Sequence, residues 1–237
     1  MKLFLTLSLA LLLSISGSSQ NPFVTDQFTA DPTARVFGDR VYVYPSDDIP
    51  CTPTRGRVGW FCMQDYHVFS SPDLTNWTDH GVIVSQDQVS WVDTASYSMW
   101  APDCVMHRGK YYFYFPARTN DTLYGKGFAI GVAISNQPAG PFVIEPAPIH
   151  GVSGIDPNVF IDHDGQAYLY WAEKELFVAK LKDNMLELDS PPQVIPNLPD
   201  VGLKEGPFVF ERNGIYYLTY PHVENKTERL EYAIADN

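Results

Sequence analysis

Short runs rich in Tyr, Phe and Val recur along the chain, separated by turn residues. Val41-Tyr42-Val43-Tyr44, Tyr111-Tyr112-Phe113-Tyr114, Tyr168-Leu169-Tyr170-Trp171 and Tyr216-Tyr217-Leu218-Thr219-Tyr220 read as strands. They are too short for buried helices and carry the side chains that suit a pleated, half-buried surface. A turn dipeptide precedes each run: Gly38-Asp39, Arg108-Gly109, Asp164-Gly165 and Asn213-Gly214. Asp-Gly and Asn-Gly between such runs predict hairpins, because both central positions of a type I′ turn need positive φ. Further strands are predicted at Tyr66–Phe69, Phe128–Ala133 and Phe177–Leu181, giving about four per unit. No amphipathic helix of useful length interrupts them.

The layout repeats four times, with a period of about fifty residues. Each unit opens on an acid beside a proline: Ala30-Asp31-Pro32, Trp100-Ala101-Pro102-Asp103, Ile155-Asp156-Pro157 and Lys204-Glu205-Gly206-Pro207. Four-stranded antiparallel units repeated around an axis describe an all-β fold, the β-propeller. A sandwich or barrel has no reason to repeat an acid-Pro step. Comparing Glu231–Asn237 with Val132–Asn136 places the end of the chain in the middle of the fourth unit's third strand. The expectation is a C-terminally truncated propeller of about three and a half blades, with sheet edges left unpaired at the seam.

Composition supports a folded domain. Of the 237 residues, 45% are hydrophobic and only 19% charged, enough apolar surface for a core. The net charge of −12 repels phosphate backbones, so nucleic acid is excluded as an expected partner. Residues 1–19 pair one Lys with an apolar run and then small residues, the pattern of a signal peptide, leaving a domain over 21–237. No later stretch has eighteen apolar residues together, so the mature protein is expected to be soluble, off the membrane, and secreted or periplasmic. Export permits disulfides. Cys51 and Cys62 flank a Pro-, Arg- and Gly-rich loop that they could close, while Cys104 sits among apolar neighbours as a buried thiol. Three glycosylation sequons start at Asn76, Asn120 and Asn225 and matter only in a cell that uses them.

In a propeller the first strand of each blade lines the central channel, and its start opens on one face. Asp31, Asp156 and Glu205 would converge there. Three carboxylates in one funnel repel one another and separate their pKa values. Glycoside hydrolysis needs that separation: one carboxyl protonated to donate, one ionised to accept. An Asp before Pro is also an ordinary turn or capping residue, so the argument rests on the three together.

The ordered set of acid-Pro steps, with Trp100-Ala101-Pro102, Asp164-Gly165 and the stretch Gly131–Ser135 through Gly140-Pro141-Phe142, resembles glycoside hydrolase family 43. The likeness covers essentially all of the mature chain. It implies a five-bladed propeller, with the fifth blade absent here, that hydrolyses arabinose- or xylose-containing glycans with inversion. By matching motif, Asp31 would be the general base and Glu205 the general acid. Asp156 would raise the pKa of Glu205 and orient it or the sugar. Asp103, which follows its proline, is assigned no chemistry. Trp100 would offer the sugar an apolar platform or simply pack the channel; Trp60, Phe61 and Trp91 lie in loops and could act similarly. Loops 46–65 and 85–99 would shape the funnel.

No HExxH, paired CxxC or Gly-rich phosphate loop appears. His67, His80 and His107 read as structural residues, and no cofactor is expected. Some family members hold a metal ion through a His of the fifth blade, a residue this chain does not offer. Two rival readings are a non-catalytic carbohydrate-binding propeller or inactive truncated fragment, and the related fructan-cleaving propellers. The latter would be expected to show Asn-Asp-Pro, Arg-Asp-Pro and Glu-Cys steps where this chain has Ala-Asp-Pro, Ile-Asp-Pro and Lys-Glu-Gly.

Overall fold

The structure is a computed structural model and describes residues 22–124 and 127–236; the expected signal peptide lies outside them. Four antiparallel sheets follow one another along the chain. The first contains β1 (Thr29–Phe37), β2 (Arg40–Ile49), β3 (Cys62–Ser71) and β4 (Thr78–Ser85). The second contains β5 (Asp103–His107), β6 (Lys110–Thr119), β7 (Gly127–Ser135) and β8 (Val143–Ile144). In the third are β9 (Ile155–Ile161), β10 (Ala167–Glu173), β11 (Glu175–Lys180) and β12 (Gln193–Val194). The fourth holds β13 (Leu203–Lys204), β14 (Phe208–Arg212), β15 (Ile215–Glu224) and β16 (Thr227–Ala235). Among the described residues the only helical element is a 3₁₀ turn at Gln86–Gln88. The propeller reading of the repeat therefore holds.

Hairpin chemistry explains most of the strand pairs. Arg108 and Gly109, with φ of 48° and 77°, and Asn213 and Gly214, with 56° and 78°, have the paired positive φ values of two-residue I′ turns. Asp164-Gly165 departs from that expectation. Ile161 pairs with Ala167, so the turn is a five-residue loop, closed by Asp162 N–H donating to Gln166 O at 2.9 Å.

The fourth sheet differs from the other three in one respect and from the sequence expectation in another. Its innermost line is broken: β13 and β14 both pair with β15, on either side of Glu205-Gly206-Pro207. Its third line, β16, pairs with β15 from Glu224↔Thr227 through Tyr216↔Ala235, instead of stopping midway. The physical reason is that Val132–Ser135, the stretch used for comparison, is itself the end of β7: Ser135 pairs with Tyr111 as Ala235 pairs with Tyr216.

Apolar side chains fill the spaces between neighbouring sheets. Tyr44, Tyr66 and Val68 of the first sheet pack with Phe113, Phe115 and Ala117 of the second. Tyr114, Ile130 and Val132 meet Leu169, Trp171 and Val159 of the third, and Leu176 meets Val209, Leu218 and Tyr220 of the fourth. Each large side chain so buried stabilises by about 1.5–3 kcal/mol relative to exposure. Trp91, considered above as a sugar platform, belongs to this core: it is 5% exposed and stacks on Phe115 with ring centroids 6.0 Å apart. Gly131 makes room for that stack, since a Cβ there would lie 2.5 Å from Phe115 Cζ and 2.7 Å from Trp91 Cζ2.

Polar groups close the channel floor. Asp103, 1% exposed, accepts from Thr33 Oγ1 at 2.9 Å, from Arg35 Nε at 3.0 Å and Nη2 at 2.6 Å. It also accepts from Asn158 Nδ2 at 3.1 Å and the Val159 N–H at 2.8 Å. Asn158 Oδ1 in turn accepts the Val209 N–H at 2.9 Å. Arg35 donates to Val159 O at 3.3 Å, and its guanidinium carbon lies 4.8 Å from the Phe208 ring centroid. All four innermost strand lines are tied together by this one set of contacts.

Cys51 and Cys62 form the disulfide considered from the sequence, and Cys104 is a buried free thiol. The three histidines have local partners: His67 with Gln27 and Asp79, His80 with Ser70, His107 with Asp183. No helix among the described residues is long and apolar enough to cross a membrane.

Candidate active site

Above the floor an open cavity of about 920 Å³ is lined by the starts of the inner strands. Asp31, Asp156, Glu205 and Trp100 all border it. The chain brings the acids there through a repeated backbone distortion. Asp31 and Asp156 each precede a proline and have φ of 49° and 55°. The pairing of β1 with β2 slips between Ala30 and Thr33, and that of β9 with β10 slips between Tyr170 and Ala172. Non-glycine residues seldom adopt positive φ, and such positions gather at functional sites. In the fourth sheet the residue before proline is Gly206, with φ of 52°. Glu205 therefore sits one position earlier than the two aspartates.

That offset puts the Gly206 N–H within reach of Asp156. Asp156 Oδ2 accepts the Gly206 N–H at 2.8 Å, linking it to the peptide that follows Glu205. Glu205's own N–H donates to Pro221 O at 3.4 Å. Both bonds hold the Glu205 backbone over the cavity.

All three carboxyls are pushed above the usual range. Burial, opposed by the Gly206 N–H and reinforced by Glu205 and Asp31, raises Asp156 to about 7. Glu205 is raised by burial, then by Glu228 and Asp31, and Asp31 by burial and Asp48. Asp48 and Glu228 also line the cavity, and sequence reasoning missed both. Position along a strand is the only sequence signal for them, because each reaches the cavity through hairpin geometry. The raised carboxyl of Glu205 traces first to burial, then to Glu228 and Asp31.

The high pKa of Asp156 couples to stability. A carboxyl near 3.9 in the unfolded chain and near 7 when folded binds its proton more tightly in the native state. Its contribution is full below about pH 4 and is lost as pH rises through about 7. Asp156→Asn is accordingly expected to raise the melting temperature at pH 8 and to match the parent at pH 4. Thermal unfolding at both pH values checks this, and an equal shift at both contradicts it.

Trp100 is held by its backbone, whose carbonyl accepts the Tyr66 hydroxyl at 2.7 Å. Its ring packs on Phe128, with centroids 4.6 Å apart. Trp60 and Phe61 stand on the disulfide-closed loop and line the cavity while remaining 49% and 58% exposed. Asp103 borders the cavity too, but its oxygens are occupied by the floor contacts. No histidine lines the cavity, and among the described residues no group of three His, Cys, Asp or Glu is arranged to hold a metal. The residues present do not fit a channel ion.

A sequence profile of glycosyl hydrolases family 43 matches residues 19–235. The chain belongs to that family. It is 45% identical over 154 residues to xylosidase/arabinosidase 43A of Humicola insolens, an alignment covering 63% of this chain and 45% of that protein. A xylosidase/arabinosidase of Bacteroides ovatus is 32% identical over 255 residues, covering 90% of this chain and 76% of its own length. The chain thus spans under half of one relative and about three quarters of the other. Among solved structures, a family 43 β-xylosidase/α-arabinofuranosidase from a compost microbial metagenome, in complex with xylotriose, superposes with a TM-score of 0.79. That match is at 34% identity and covers 93% of this chain and 78% of the other.

Proposed function

We propose that this family 43 member is an exported, inverting glycoside hydrolase that cleaves arabinofuranosyl or xylosyl linkages of plant cell-wall polysaccharides or oligosaccharides. One observation carries the reading: three carboxyls with raised pKa border one cavity, and Asp156 accepts the N–H next to Glu205. The names of the relatives support the pentose specificity, and residues 1–19 support export.

In this mechanism Glu205, protonated, gives its proton to the glycosidic oxygen as the bond from that oxygen to the anomeric carbon breaks. Asp31, ionised, takes a proton from a water whose oxygen forms the new bond on the opposite face of the sugar. The products are a free sugar of inverted configuration and a leaving alcohol. A proton has moved from Glu205 to the leaving group and another from water to Asp31, and solvent exchange resets both. Asp156 orients Glu205 through the Gly206 N–H, and Trp100 gives the sugar ring an apolar face.

Proton NMR of the first product anomer tests the mechanism. The anomer released before mutarotation should be inverted relative to the substrate; retention would exclude Asp31 as the base of a single displacement.

A further inference from the structure

The fourth sheet walls the cavity beside Glu205, and its register sorts charge by face. Leu203 pairs with Val223 and Val223 with Glu228, so these three side chains share one face. Lys204 pairs with His222 and His222 with Arg229, which puts those three on the other face. Alternation along the chain returns Glu205 to the face of Leu203. Leu203, Glu205, Pro221 and Glu228 accordingly all border the cavity.

The cations of this sheet are turned away. Lys204 Nζ donates to Pro199 O at 2.8 Å and lies 3.1 Å from Glu175 Oε2. His222 bridges Val201 O at 2.9 Å and Glu231 Oε1 at 3.1 Å. Arg229 lies 3.4 Å from both Glu224 Oε2 and Glu231 Oε1. Among the described residues no Lys, Arg or His lines the cavity. Glu205 and Glu228 thus face it as two carboxyls of one sheet, their backbones two strand spacings, about 10 Å, apart across the sheet. Glu205 is half-buried and Glu228 exposed. Charge costs more on the half-buried carboxyl, so a like charge nearby keeps the proton there.

We propose that Glu228 is a positioning residue for the acid step: its carboxylate, on the same sheet face, keeps the transferable proton on Glu205 while Asp31 is ionised. This deepens the hydrolase reading and rests on Glu205 being the acid. The raised carboxyl of Glu205 agrees, with Glu228 its first charged cause after burial. The other charges facing Glu205 are Asp31, Asp48 and Asp156 in the same cavity, and Glu173, Lys174 and Lys204 around a smaller one that Glu205 also borders. Asp103 is paired with Arg35.

The test follows kcat/KM against pH on a pentose disaccharide and on the dinitrophenyl glycoside of the same pentose, whose leaving group needs no proton. On the disaccharide the alkaline limb reports Glu205 losing its proton. Removing a like charge lets that proton leave at lower pH. Glu228→Gln should therefore move the limb down by about half a pH unit or more. Glu228→Asp, which keeps the charge, should leave the limb near the parent's. Salt at about 1 M, which shortens screening to about 3 Å, should move the parent's limb down and that of Glu228→Gln less. A merely structural Glu228 would change the rate alike at every pH. A limb unmoved in Glu228→Gln overturns the proposal, as does one that moves equally in Glu228→Asp. A parent limb that persists on the dinitrophenyl glycoside shows that Glu205 is not the acid, and the proposal falls with that assignment. Titration of the Glu205 carboxyl carbon by NMR needs no turnover. A lower midpoint in Glu228→Gln, in a chain that hydrolyses neither substrate, would show that Glu228 holds the proton even as the hydrolase reading fails. An unchanged midpoint overturns the proposal whatever the activity.

Discussion

Glu205→Gln is expected to lower kcat/KM on a pentose disaccharide by about 10²–10⁴-fold, the usual worth of a positioned general acid. That loss is about 3–5 kcal/mol of transition-state stabilisation. On a dinitrophenyl pentoside, whose leaving oxygen departs without a proton, the same variant should lose far less. Asp31→Ala should lose a similar factor on both substrates, because water must be activated whatever leaves. The contrast between leaving groups separates the two roles, and steady-state kinetics on both substrates reads it. Equal losses in Glu205→Gln on both would show that Glu205 positions the sugar and does not protonate it. Both carboxyls are raised, Glu205 by burial and by Glu228 and Asp31, and Asp31 by burial and Asp48.

The largest effect on stability is expected at Asp103, outside the proposed chemistry. Asp103→Ala removes the carboxylate that pairs with Arg35 and accepts from Thr33, Asn158 and the Val159 N–H. It leaves a guanidinium with 18% side-chain exposure and no counter-charge in the channel floor. Breaking a buried pair from one side costs about 3–5 kcal/mol, a large share of a domain's 5–15 kcal/mol. Urea unfolding should show this as a shifted midpoint. Removing both charges, as in Arg35→Met with Asp103→Leu, should cost less than Asp103→Ala alone, because no unpaired charge remains. A loss under about 1 kcal/mol in Asp103→Ala would mean that solvent or another group replaces the carboxylate.

These two residues mark what the sequence made legible. The blades could be read because aromatic runs and turn dipeptides repeat, and local chemistry determines a hairpin. Asp31, Asp156 and Glu205 could be gathered because each sits at the same place in its unit. The one-residue offset of Glu205 stands in the sequence, in Glu205-Gly206-Pro207, but the break in the strand that pairs with β15 could not be read from it. Asp103 shows a similar limit. It stood one residue out of pattern and was assigned no chemistry, yet it ties the channel together, because its partners lie 55 to 70 residues away on other blades. Asp48 and Glu228 were missed for another reason: each reaches the cavity through hairpin geometry within its own blade. At Asp164-Gly165 the dipeptide was right for a turn but not for its length, which the register of β9 and β10 decides.

The floor has a consequence for how the molecule is assembled. Every sheet is built from one continuous stretch of chain, so its hairpins form from contacts close in sequence. The floor joins residues as far apart as Arg35 and Val159, 124 positions along the chain. Loop-closure entropy makes such contacts slow to gain. Blades can exist before the floor does, but Asp31, Asp156 and Glu205 share a cavity only once it closes. The site is thus an attribute of the inner strands held together, and no single blade carries a working fraction of it.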